Sequence, residues 1–299
     1  MLEIRTLTYF LTIAREGSFT KAAAVLHVSQ PTLSRQIRAL EEDYGKELFY
    51  RTTQHLSLTS DGILLQKYAE EILAISQKAE LELRAKNQQI SGDIYIGCGE
   101  SLIFQRVMKA AHKLQQKYPA VHFHIITGDG SNTLYDLDKG FIDIAFMYGD
   151  VDPAQYNILP IPEYDYWGVI MKDSEPLAQK KEISPEDLWD KPLILSRNTL
   201  IRSTHGDSLK QWFRKPFAKL YITNSYTMAF NAALMASEGM GYVIAFSNLI
   251  RQTNTVGICI RPLCPIVKAA PSIVWKKYGI LSTAAEAFLT IVKKEFAHP

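Results

Sequence analysis

The sequence predicts a multidomain α/β protein: a small N-terminal domain of helices closed by a hairpin, a long connecting helix, and a larger C-terminal α/β region. Three observations predict this. The chain has 299 residues, more than one hydrophobic core usually supports. Apart from one short hairpin signal, apolar residues recur at helical spacing through the first 86 positions. From Asp93 onward, strand-like apolar runs alternate with helical ones.

The composition narrows the function. Hydrophobic residues make up 47% and charged residues 21%, as in ordinary folded proteins. A net charge of +2 is too mild to announce a nucleic-acid binder, so any basic surface must be local. Cys98, Cys259 and Cys264 form neither a disulfide framework nor a metal spacing, and no metal or cofactor is expected. A reducing cytoplasm fits that usage. No apolar stretch has the length of a membrane span. Leu7 to Ala14 is mostly apolar, but Glu3, Arg5, Arg15 and Glu16 crowd it, unlike a secretion signal.

Leu7, Phe10, Leu11 and Ala14 line one face of a first helix that Gly17 ends. Ser18 caps a slim second helix containing Ala22, Ala23 and Ala24, and His27-Val28 breaks it. Ser29 is a second N-cap, with Pro31 in the first turn, where its missing N–H costs little. Leu33, Ile37, Leu40 and Tyr44 form the buried face of the third helix, which Gly45 stops. Its other face carries Gln30, Thr32, Ser34, Arg35 and Arg38. Such a face suits a solvated surface helix. It also suits a helix that enters a major groove: Ser29, Thr32 and Ser34 are short enough for close approach, while Gln30 and Arg35 can reach base edges. Residues 48–51 and 56–59 read as two short strands around the polar turn 52–55, which makes a winged helix-turn-helix with Arg51 near a minor groove. Seven basic residues face six acidic ones through position 59, so geometry carries the DNA reading more than charge.

The order FLTIAREGSFTKAAAVLHVSQPTLSRQIRALEEDYGKELFYRT, followed by LSLTSDG, resembles the N-terminal domain of LysR-type transcriptional regulators. Gly17-Ser18-Phe19, Ala22-Ala23, Ser29-Gln30-Pro31, Ser34-Arg35-Gln36-Ile37, Leu48-Phe49, Arg51 and Leu58-Thr59 before Gly62 fall at matching intervals. Thr53 and Gln54 depart from the family, which often carries extra arginine in the wing; this implies a weaker minor-groove contact. The resemblance implies double-stranded DNA as a partner, with residues 1–59 as the DNA-binding domain. It also allows RNA polymerase as a partner; no membrane is expected as a partner, because no apolar stretch is long enough to span one.

Residues 60–88 read as a linker helix. Leu65, Tyr68, Ile72, Ile75 and Ala79 recur at three- and four-residue intervals between charged residues, giving a narrow apolar seam. A helix lying on its own core would show a similar seam. In the family this helix pairs with a second copy, which implies a dimer and, through the sensor domains, a tetramer. Asn87 to Gly92 reads as a hinge.

In the remainder, strands are expected at 94–98, 121–126, 142–147, 167–171, 193–195, 243–245 and 272–275. Helices are expected at 102–118, 132–139, 185–189, 208–213, 227–238 and 284–296. The alternation predicts parallel strands. The resemblance adds that 92–299 is an effector-binding domain of two subdomains like those of periplasmic binding proteins. Subdomain I takes 92–161 and 266–299, subdomain II takes 162–265, and the crossings lie near Pro160 to Pro162 and Pro265 to Val267. A small-molecule effector would sit between the subdomains, at strand ends and helix N-termini. Ser101, Thr127, Gly128, Tyr148, Ser196, Arg202, Thr227 and Phe246 occupy such places. Ser101 and Thr127 suit a carboxylate or other small anion, while Glu100 and Asp129 cut against a strongly anionic one.

Enzyme readings lack a constellation. Gly97 to Leu102, GCGESL, misses the third glycine of a dinucleotide fingerprint. Ser18 to Lys21 fits S-x-x-K but has no companion motifs. His122 and His124 have no acidic or thiol residue at ligand spacing. Cys259 and Cys264 have only Arg261 to favour a thiolate. A ligand-binding or transport protein whose first helices serve assembly is the rival reading; the specific match over residues 18–42 argues against it.

Overall fold

The computed structural model describes residues 2–51, 56–84, 90–128, 130–201, 208–250 and 257–297. The chain divides into two compact units, 1–86 and 87–299.

In the first unit, α1 (Ile4–Glu16), α2 (Phe19–Val25) and α3 (Gln30–Tyr44) precede an antiparallel hairpin of β1 (Phe49–Arg51) and β2 (Leu56–Leu58); α4 (Ser60–Arg84) follows. Leu7, Phe10, Leu33 and Ile37 of the expected faces are fully buried, as is Ile13, which the expected face of α1 does not include; Leu11 and Ala14 pack at the margin of this core and are only partly buried. Phe49 of β1 joins it, its ring 5.2 Å from that of Phe10. Ser18 and Ser29 cap α2 and α3, accepting from the N–H groups of Lys21 and Thr32. α1 and α3 end on left-handed Gly17 and Gly45, both at φ +61°. Tyr44 does not belong to the buried face. It lies in the last turn of α3, past the core contacts of Leu40, and is 54% exposed.

Thr59 fastens the start of α4. It donates its hydroxyl to the Glu47 carbonyl at 2.6 Å and accepts from the Gly62 N–H at 2.9 Å. A Cβ on Gly62 would lie 2.2 Å from the Leu48 carbonyl oxygen, so only glycine permits this approach. Beyond that point α4 carries two apolar stripes. Leu65, Ala69, Ile72 and Leu73 pack on the core of the first unit, chiefly against α1. Leu64, Tyr68, Ile75 and Ala79 are exposed. The five residues of the expected seam therefore divide between the stripes.

The second unit holds two mixed sheets. Its elements run β3 (Gly92–Cys98), α5 (Phe104–Lys117), β4 (Val121–Thr127), α6 (Gly130–Lys139), β5 (Ile144–Tyr148), β6 (Tyr156–Pro160) and β7 (Asp165–Lys172). After these come β8 (Leu193–Ser196), α7 (Arg197–Ile201), α8 (Ser208–Trp212), β9 (Ile222–Tyr226), α9 (Ala229–Ser237) and β10 (Tyr242–Phe246). The chain then forms α10 (Ser247–Ile250), β11 (Ile258–Pro262), β12 (Lys268–Ala269), β13 (Pro271–Lys276) and α11 (Thr283–Ala297).

The first sheet has the order β4-β3-β5-β13-β6 and the second β11-β7-β10-β8-β9, with β12 also on β7. The expectation of parallel strands needs correction. β3 is parallel to β4 and β5, and β8 to β9 and β10, but β13 is antiparallel to β5 and β6, and β7 to β10, β11 and β12. The antiparallel strands are those that lie next to the passages between sheets. The alternation of β5 shows how the first sheet is covered on both faces. Ile144 and Phe146 join the core under α5 and α11, whereas Ala145 and Met147 join the core under α6. The chain passes from the first sheet to the second between Pro160 and Asp165 and returns between Ala269 and Pro271, some residues later than Pro265 to Val267. The two passages run side by side, with the Ile161 N–H donating to the Pro271 carbonyl at 3.0 Å and Asp165 paired with Ala269.

Candidate functional site

The N-terminal half of α3 is the first candidate surface. Ser29 and Thr32 satisfy each other, their hydroxyl oxygens 2.7 Å apart, so the two short side chains lie close to the helix. Gln30, Pro31, Arg35 and Arg38 are exposed, and Ser34 is half-buried. Among the described residues no carboxylate pairs with Arg35 or Arg38. The acidic residues of this region sit at the other end of α3, where Glu41 accepts the Leu48 N–H at 2.9 Å. The helix thus presents guanidinium groups along its first half and carboxylates at its other end. Arg51 pairs through its backbone with Leu56. Its side chain, and the wing turn with Thr53 and Gln54, lie outside the described residues.

The second candidate is where the two sheets of the C-terminal unit meet. Ser101 follows β3 and donates its hydroxyl to Asp165 Oδ2 at 2.6 Å while accepting from the Ile103 N–H at 3.0 Å. Tyr148, the last residue of β5, donates its hydroxyl to the same oxygen. Burial, then the charge of Asp165 and the hydrogen bond to it, push the Tyr148 phenol above its ordinary value, so it remains a donor. The Tyr148 ring lies 4.8 Å from that of Phe246, which lies 4.6 Å from that of Trp167. Glu100 reaches across to accept the N–H of Ala229, the first residue of α9. Burial and the charge of Glu100 raise the Tyr226 phenol, which donates to the Ile244 carbonyl at 2.7 Å.

Two of the expected effector contacts, Ser101 and Tyr148, therefore meet on one carboxylate, and a third, Phe246, packs against the Tyr148 ring. Asp165 and Trp167 are not among the residues singled out from the sequence. A trace of Asp165 is visible in the sequence as a charged residue two positions before the apolar run 167–171, and only the passage between sheets gives that position a meaning. Thr127 is exposed, and its hydrogen bond is to Cys98. Gly128 donates its N–H to the Cys98 carbonyl at 3.0 Å. Ser196 pairs through its backbone with Tyr226, and Thr227 is exposed. None of the described contacts joins these four to the Asp165 cluster. Arg202, Asp129 and residues 87–89 of the expected hinge lie outside the described residues. A cavity of about 500 Å³ opens elsewhere, lined by Leu200, Lys210, Gln211, Arg214, Lys215, Pro216 and Phe217, none of them an expected contact.

The thiols are not activated. Burial raises Cys98 and Cys259, the latter despite Arg261, and a hydrogen bond to Glu182 raises Cys264. Among the described residues no group of three histidine, cysteine or acidic side chains could hold a metal ion, and no helix is long and apolar enough to cross a membrane. His124 meets Asp93 at 2.9 Å and stacks on Tyr95.

Comparison with known proteins agrees over nearly the whole chain. Residues 4–63 match the family of bacterial regulatory helix-turn-helix proteins, lysR family, and residues 87–297 match the LysR substrate binding domain. The uncharacterized HTH-type transcriptional regulator YwbI of Bacillus subtilis (strain 168) is 28% identical over 304 residues, covering 100% of this chain and 98% of that one. A probable RuBisCO transcriptional regulator of Emiliania huxleyi is 32% identical over 203 residues, 67% of this chain; this chain spans 65% of that relative's length. The fold is similar to that of full-length CbnR in complex with its target DNA, with a TM-score of 0.73 at 20% identity, covering 98% of this chain and 100% of that one.

Proposed function

This chain belongs to the LysR family of bacterial helix-turn-helix regulators, and from that premise we propose how its parts divide the work. It is a DNA-binding transcriptional regulator carrying a LysR substrate binding domain. In the proposal, α3 reads a major groove, the exposed stripe of α4 pairs two copies, and a small molecule held between the two sheets of the C-terminal unit modulates the reading. The protein acts in the cytoplasm, beside its DNA.

The exposed end of α3 carries this reading. Gln30 and Arg35 reach outward past short or half-buried neighbours, and Arg38 stands one turn further along for a phosphate. Base contacts of this kind specify a sequence, while phosphate contacts and the helix N-terminus position the domain. Two such helices must reach half-sites about 34 Å apart or a multiple of that, which requires at least a dimer. For the sensor, the supporting observation is the meeting of Ser101 and Tyr148 from the first sheet with Asp165 and Phe246 from the second. A molecule that binds one arrangement of the sheets better than the other shifts the balance between them, typically by 1–3 kcal/mol.

Footprinting with the DNA upstream of the protein's own gene and of a divergent neighbour tests the DNA reading. Protection of one or more discrete stretches, lost steeply as salt rises, is expected. Uniform, sequence-blind binding by the folded oligomer overturns it.

A further inference from the structure

We propose that the cleft between the two sheets is a receptor for an organic cation, an ammonium or amidinium group, with Asp165 as its counter-charge and Tyr148, Trp167 and Phe246 as its walls. This rests on the reading of that cleft as the effector site, and it replaces the anion that Ser101 and Thr127 alone suggest.

Asp165 is 1% exposed. Its side-chain partners are the hydroxyls of Ser101 and Tyr148, both neutral and both on Oδ2. Among the described residues no lysine, arginine or histidine stands within ion-pair distance of it. A carboxylate taken out of water without a cation is costly, and two hydroxyls compensate only part of that cost. The surroundings are those that recognise a cation. Phe246 is directly opposite Trp167 in the ladder between β10 and β7, and Trp167 lies two residues beyond Asp165, on the same face of β7. The carboxylate and two of the three rings are thus set on one face of the second sheet, across β7 and β10, and Tyr148 closes the group from the other sheet. Aromatic faces beside a carboxylate attract ammonium groups through the ring quadrupole as well as through charge.

An anion would find little here. The N-terminus of α9, the positive end of a helix at this junction, is already taken by the Glu100 carboxylate. Two carboxylates, Glu100 and Asp165, hold the positions to which an anionic effector would otherwise be drawn. A cation meets the opposite field. Because Tyr148 stands on the first sheet and Phe246 and Trp167 on the second, a ligand that enters between the rings moves the sheets relative to each other, as an effector must.

Benzylamine and benzoate, which share a ring and differ in charge, test this on the full-length protein by thermal shift and titration calorimetry. Benzylamine is expected to raise the melting midpoint with concentration and benzoate to leave it unchanged. In Asp165→Asn the apparent affinity for benzylamine is expected to fall at least about tenfold. Without ligand, this variant is expected to melt no lower than the wild type, because a buried charge without a counter-cation has been removed. Tyr148→Phe, which keeps the carboxylate and the ring, is expected to retain benzylamine binding. Stronger binding of benzoate keeps the cleft as the effector site and overturns the charge assignment. Equal binding of benzylamine by the wild type, Asp165→Asn and Phe246→Ala places the amine outside the cleft and overturns it as well. Binding of neither probe overturns the inference, and Asp165→Asn melting lower than the wild type as well overturns the cleft reading with it.

Discussion

Glu100, in the loop after β3, accepts the backbone N–H of Ala229, the first residue of α9. A side chain of one sheet layer thus caps a helix of the other, and the contact combines a charged hydrogen bond with the field of the helix end. Glu100→Gln keeps the shape and removes the charge. It is expected to lower the stability of the C-terminal unit by about 1 kcal/mol in urea unfolding. An unchanged midpoint would show that this cap adds nothing to the junction.

On α3, Arg35→Ala and Gln30→Ala are each expected to cost about 1–3 kcal/mol of discrimination between operator and unrelated DNA. Arg38→Ala is expected to weaken both alike. Competition gel shifts with operator and non-operator duplexes separate the two outcomes. Equal losses on both duplexes for Arg35→Ala would assign it to phosphate contact.

The two stripes of α4 lead to opposite expectations for neighbouring residues. Ile75→Glu places a charge on the exposed stripe. It should dissociate the proposed oligomer in sedimentation while far-ultraviolet circular dichroism stays near wild type. Ile72→Glu buries a charge in the first unit's core and should destabilise that unit itself. Identical behaviour of the two variants would show that the stripes are not functionally distinct.

Gly62→Ala should cost about 1–3 kcal/mol, because the added Cβ meets the Leu48 carbonyl oxygen and Leu58 Cδ2 at once. The loss should appear as an earlier transition of the first unit, with the second unit's transition unmoved.

A pH effect is expected at α11. The Lys113 hydrogen bond, reinforced by the charges of Lys113 and Arg106, holds the Glu295 carboxyl below its usual value of 4.5. A lowered folded value stabilises the fold above the unfolded value, and this contribution disappears as pH falls through the folded one. Glu295→Gln should therefore be less stable than wild type near neutrality, by under about 1 kcal/mol for so accessible a pair, and should converge with it in acid. A gap that persists in acid would assign the loss to packing.

Much of the first unit was legible because its determinants are local. Gly17, Ser18, Ser29 and Gly45 set helix ends through their own backbone and side-chain preferences, and Leu7, Phe10, Leu33 and Ile37 repeat at the helical period. Tyr44 was misassigned because periodicity marks a face without telling where the core beneath it ends. The seam on α4 was visible, but a one-dimensional pattern cannot divide Ile72 from Ile75 between two partners. In the second unit the buried strands β3, β5, β7, β8 and β10 stood out as apolar runs. β6, β9 and β11 did not, because edge or partly exposed strands such as Ile222–Tyr226 alternate with polar residues. Asp165 was illegible for a topological reason. Its meaning comes from Ser101 and Tyr148, 64 and 17 positions away, which only the passage between sheets brings to it.

The double-sided character of α4 ties two equilibria together. Its inner stripe is part of the core that holds the reading head folded, so in the proposed pairing a second copy gripping the outer stripe would bind the folded head and not the unfolded one. Mass action would then make the head's stability depend on protein concentration. A cell that holds few copies would possess, besides fewer occupied operators, a softer reading head on each of them.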